Sequence, residues 1–216
     1  MFQDRQLQEA VLAEFRWEPS ITAAHIGVTA NSGVVTLSGH VEDYSQKHAA
    51  GRAAARVRGV KAVAEEIEVQ LPFDTQRSDE HIARAAIDRL AWEVSVPSDT
   101  MKVTVEHGWV TLTGQVDWHF QKEAAERNVR GLYGVIGVTN NTTIKPRPDV
   151  PTIGHDIDVA LHRSWFDHET ITVSAVGGKV RLTGTVHTPA DRRTAGSTAW
   201  AAPGTTAVEN DLVIVG

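Results

Sequence analysis

GVVTLSGHV, residues 33–41, decides the fold, because the chain writes this stretch three times. It returns as GWVTLTGQV over 108–116 and as GKVRLTGTV over 178–186. Val35, Leu37 and Val41 alternate with Thr36, Ser38 and His40, and such alternation predicts a strand with one buried and one wet face. Gly39 takes the inward place between Leu37 and Val41. The later copies set Val110, Leu112, Val116 and Val180, Leu182, Val186 in the same places. A turn signal precedes each copy, at Asn31-Ser32-Gly33, Glu106-His107-Gly108 and Val176-Gly177-Gly178. Ahead of each turn runs another alternating set: Ile26, Val28, Ala30; Met101, Val103, Val105; Ile171, Val173, Ala175. Two such runs around a glycine-bearing turn predict a β-hairpin. A glycine inside a strand marks a bulge or a close backbone approach, and Gly39, Gly114 and Gly184 are read as the point where the chain bends off the sheet.

Working outward, Leu7, Ala10, Val11 and Phe15 recur at helical spacing and predict a first helix over about 4–16. Asp43 is a good N-cap for a second helix carrying Ala50, Ala53, Ala54 and Val57, which Gly59 ends. Val63, Ile67 and Val69 predict a last strand. The same order recurs 75 positions on, and again 70 beyond that, so the chain reads as three repeats of α-β-β-α-β. Their expected bounds are 1–72, 76–146 and 150–216. The second helix of the third repeat is the poorest, with Pro189 at its start and Gly196 and Thr198 inside. Residues 145–151 hold three prolines and predict a stiff, extended linker.

The net charge of −6 argues against wholesale nucleic-acid binding. With no cysteine, thiolate nucleophiles, disulfides and sulfur-held metals are excluded. No stretch approaches the ~20 apolar residues of a membrane span, and the N-terminus lacks the apolar core of a secretory signal. Read from Met1, the chain is expected in the cytoplasm; a signal removed earlier would place it in the periplasm.

The repeat order, the glycine-framed strand and the Gly-Val after the second helix together resemble the BON domain family. The residues that carry this are Gly33, Val35, Leu37, Gly39, Val41, Gly59 and Val60, then Gly108, Val110, Leu112, Gly114, Val116, Gly134 and Val135. Gly178, Val180, Leu182, Gly184, Val186 and Gly204 follow in the third repeat, where Thr205 replaces the valine. The resemblance implies an α+β protein of three tandem two-layer α/β sandwiches, each with two helices on one face of a small mixed three-stranded sheet. It also implies a non-enzymatic, transport-associated bacterial module for phospholipid attachment in osmotic stress.

His48, Arg52 and Arg56 fall at helical spacing on the second helix, with Lys47 and Arg58 beside them. Such a stripe fits lipid headgroups; the plainer reading is a solvated helix face. Trp109 takes an outward strand position, with Trp118 and Phe120 just beyond. These aromatics fit a protein partner or a homo-oligomer contact, or packing between repeats. Trp17, Trp92 and Trp165 each sit near the end of a first helix, and that recurrence favours a structural role. The ten histidines do not recur in register, and His162 with His168 lacks a third ligand at a recognised spacing, so no metal or cofactor is expected. No nucleophile elbow or phosphate loop appears. Gly131-Leu132-Tyr133-Gly134 matches the GXXG of RNA-binding KH domains, but neither other repeat keeps the first glycine. The expected function is reversible attachment to a phospholipid surface; a protein-binding or self-assembling scaffold is the alternative, and RNA binding a remote one.

Overall fold

The structure is a computed structural model that describes residues 2–97, 100–146, 152–163 and 170–215. The linker prolines from Pro148 on, Trp165 and His168 lie outside these residues. In the first repeat α1 (Phe2–Trp17) precedes β1 (Ile26–Asn31), β2 (Val34–Val41), α2 (Tyr44–Arg56) and β3 (Ala62–Val69). β2 is central: β1 pairs with it antiparallel and β3 parallel. The parallel neighbour is reached only through the crossover helix α2, as parallel pairing requires. Val35, Leu37, Val41 and Ile67 from the sheet meet Val11 and Phe15 of α1 and Ala50, Ala53 and Ala54 of α2 in one buried core. The alanines let α2 lie close to the strands.

The second repeat has α3 (Asp79–Trp92), β4 (Met101–Glu106), β5 (Trp109–Val116), α4 (His119–Arg130), β6 (Gly137–Asn140) and β7 (Thr143–Ile144). Its last strand is in two pieces; Asn141 and Thr142 interrupt it before β7 rejoins β5 at Gln115↔Thr143. The third repeat has α5 (Ile153–His162), β8 (Ile171–Val176), β9 (Lys179–Val186), α6 (Pro189–Ala201) and β10 (Ala207–Ile214), with β9 central. Its core is its own: Ile157, Leu161, Val180, Leu182, Ala195, Ala199 and Leu212. Among the described residues, three small mixed sheets with six α-helices bear out the fold expected from the repeat.

α6 forms despite its composition. Thr188 accepts from the Asp191 amide at 3.1 Å while the Asp191 carboxylate accepts from the Thr188 amide at 3.0 Å, a reciprocal capping box. Pro189 stands in the first turn, where its missing N–H costs nothing.

The strand glycines are a correction. β2 runs straight through Gly39 to Val41, still paired with β3. Gly39 has φ +107°, Gly114 +135° and Gly184 +119°. A Cβ at these positions would overlap the carbonyl oxygens of His25, Thr100 and Thr170, the residues just ahead of each repeat's first strand. The glycine therefore admits the incoming chain and does not turn the outgoing one.

The described chain packs as two compact units. One is Met1–Trp92 with Val103–Leu112 and Glu126–Thr139; the other is Glu93–Lys102 with Thr113–Ala125 and Asn140–Gly216.

Candidate functional site

Each unit contains a seam between second helices. In the first, the start of α2 meets the end of α4: Ser45 Oγ donates to the Arg130 carbonyl at 3.4 Å, and Tyr44 lies within the field of Arg130. In the second, the start of α4 meets the end of α6: the His119 ring stacks on Trp200 with centroids 3.9 Å apart and planes 13° from parallel. Tyr44 and His119 are equivalent positions of their repeats, as are Arg130 and Trp200. The same joint is built twice from different side chains.

The first seam carries cations. His48 is half-buried on α2 and its pKa is lowered, first by burial and then by Arg130 and Arg52, with Glu126 opposing. Burial also lowers the Arg130 guanidinium; Glu126 opposes this, while Arg52 and Arg127 add to it. Beyond burial, the positive groups around them make His48 and Arg130 harder to charge. His48 and Arg52 were legible as a stripe one helical turn apart; Arg130 was not, because it comes from the next repeat. Arg56 points elsewhere: its guanidinium binds Glu14 at 2.9 Å and Glu18 at 3.1 Å. Arg58 lines, with Asp4 and Lys61, a cleft of ≈ 780 Å³ beside α1. Lys47 is partly buried on α2.

Trp109 faces outward and lies on its own repeat. Its Nε1 donates to Thr139 Oγ1 at 2.8 Å, and its ring fills the space a side chain at Gly137 would need; 46% of the residue stays exposed. Trp118 is half-buried and lines the second seam with Phe120. Trp17 and Trp92 are 86% and 85% exposed, so the structural role read from their recurrence does not hold. Gly131–Gly134 connects α4 to β6, not two helices. Among the described residues no three His, Asp or Glu side chains are placed to hold a metal ion, and no helix is long and apolar enough to cross a membrane.

A family model described as BON domain matches residues 3–70, 78–146 and 150–216. The chain belongs to the BON domain family. Osmotically-inducible protein Y of Escherichia coli (strain K12) is 32% identical over 135 residues, 58% of this chain. The match spans 65% of that relative's length, just under two thirds. Two solved structures of CdsD, a structural protein of the Type III secretion system of Chlamydia trachomatis, are also similar. They cover 97% of this chain and 92% and 98% of their own, at 19% and 18% identity, each with a TM-score of 0.27.

The BON repeats differ at the positions where they touch one another. Core positions such as Leu37, Leu112 and Leu182 keep their residue in all three repeats; seam positions change from Tyr44 to His119 and from Arg130 to Trp200.

Proposed function

We propose that this BON protein is a non-enzymatic binding module of the osmotic-stress response that attaches to anionic phospholipid surfaces. One observation carries the reading: the guanidiniums of Arg52 and Arg130 lie close enough together to add to burial in holding His48 neutral, which sets two fixed cations on one ridge of the first seam. An arriving anion relieves the repulsion between neighbouring cations, and a phosphodiester headgroup supplies one. Each cation at an anionic surface contributes about 1 kcal/mol, screened by salt. The net charge of −6 keeps the remainder of the protein off such a surface, so attachment is local to the ridge. The exposed indoles of Trp17 and Trp92 supply side chains suited to the lipid–water boundary. The link to osmotic stress rests on the similarity to Osmotically-inducible protein Y.

Co-sedimentation with phosphatidylglycerol vesicles tests this. Binding is expected at low salt and to fall as salt rises. The pair Arg52→Glu with Arg130→Glu is expected to weaken it by about 30-fold or more, from roughly 1 kcal/mol per lost cation. Binding that ignores both salt and this pair of substitutions counts against the proposal.

A further inference from the structure

The second seam holds no such ridge. Trp118, His119, Phe120 and Glu123 from the start of α4, with Ser197, Trp200 and Ala201 from the end of α6, line a cleft of ≈ 320 Å³. That is the size of a small-ligand pocket. Three of the lining side chains are large aromatics. Phe120 is left 53% exposed, and one face of Trp200 is held by the His119 stack. The carboxylate among them is Glu123, 62% exposed, with its Oε2 3.8 Å from His119 Nδ1.

We propose that this cleft binds a quaternary ammonium group. Indole and phenyl faces carry negative quadrupoles that attract a cation, tryptophan most strongly. A methylated ammonium offers no N–H to any acceptor, and its apolar methyls suit an aromatic wall better than they suit water. The Glu123 carboxylate selects a cation over a neutral group of the same shape. The first seam, with Ser45 and Arg130 at the positions of Phe120 and Trp200, lacks the phenyl and indole faces and carries the opposite charge there. The site draws on two repeats and is absent from either alone. The ligand is either a free small molecule or a lipid headgroup; the chemistry is shared.

Calorimetric titration of the full chain with choline, at about pH 8 where an ordinary histidine is neutral, reads the free source. Co-sedimentation with phosphatidylcholine vesicles reads the lipid source. The control is the neutral isostere of choline, with carbon in place of the ammonium nitrogen. Saturable choline binding is expected with a dissociation constant on the order of 1 mM, absent for the isostere. Trp200→Ala and Phe120→Ala are each expected to weaken it by about tenfold, and Glu123→Gln in the same direction. Phe120 is exposed, so that variant retains the fold even if Trp200→Ala does not. Binding to phosphatidylcholine vesicles alone, lost in Phe120→Ala, assigns the lipid source. No binding in either arm, equal binding of the isostere, or indifference to Phe120→Ala overturns the proposal. Phosphatidylglycerol has no quaternary ammonium, so the outcome here is separate from that for the cationic ridge.

Discussion

Gly39, Gly114 and Gly184 hold positions that no other residue can occupy, for two independent reasons. Their φ angles lie in the left-handed region, and a carbonyl from the chain entering the sheet sits where a Cβ would be. Gly184→Ala is expected to destabilise its repeat by about 3 kcal/mol; a melting temperature unchanged from the parent would contradict this. The sequence located these glycines but misassigned their purpose. Periodicity shows where a strand is interrupted; what approaches there is a non-local fact. The tryptophans are a second case: recurrence of Trp17 and Trp92 shows that the repeats share an ancestry or a use, and only coordinates show both indoles facing solvent. His48 gives a pH effect with a definite sign. Its folded pKa is held below the ordinary 6.5, so the folded state prefers the neutral ring. Its contribution is present above pH 6.5 and is lost as the pH falls through the lowered value. His48→Gln is expected to flatten this part of the stability–pH curve in thermal melts over that window. Burial is the first cause of the lowering; Arg130 and Arg52 add to it and Glu126 opposes it.

At the scale of elements, hydrophobic spacing made most helices and strands legible, because each repeat buries its own stripe. α6 was the weakest reading, since Gly196 and Thr198 lower its propensity. Its cap and its buried Ala195 and Ala199 decide the matter instead. Thr188→Ala removes the side-chain half of the reciprocal cap, leaving the backbone amide bonded to Asp191, and is expected to cost about 1 kcal/mol, measurable as a lower denaturant midpoint with an unchanged slope. The divided last strand of the second repeat was not foreseen; Val138 and Ile144 fit one continuous run, and the break at Asn141–Thr142 leaves no mark in the apolar pattern. The candidate sites were half legible for the same reason. A stripe on one helix, such as His48 and Arg52, follows from spacing, whereas Arg130 and Trp200 reach their partners from another repeat. Arg56 illustrates the opposite error: it belongs to the stripe by spacing, yet Glu14 and Glu18 of α1 bind it.

For the whole molecule, the first and third repeats have separate cores with no shared residue. Calorimetry is therefore expected to show more than one unfolding step. Leu182→Ala, removing a fully buried side chain, is expected to cost about 3 kcal/mol and to shift the step belonging to the third repeat while leaving that of the first in place. A single transition moving as one would refute this independence. The repeat number was readable from the three glycine frames alone, because tandem copies leave their period in the sequence. The proposed ligands were not, because the seam side chains that suggest them vary between copies.

The seam is directional, with the front of one helix against the back of the next, and a joint of that kind has no symmetry to close it. Unchecked, it would string molecule onto molecule. At the two places where a fourth link would form, the chain presents Ala55 where Arg130 and Trp200 serve elsewhere, and Pro189 where Tyr44 and His119 serve. Exposed Arg52 and Arg193 stand beside them with like charge. Neither Ala55 nor Pro189 carries the rings or the charge that fill the two seams, and the joint that links the repeats is expected to stop there.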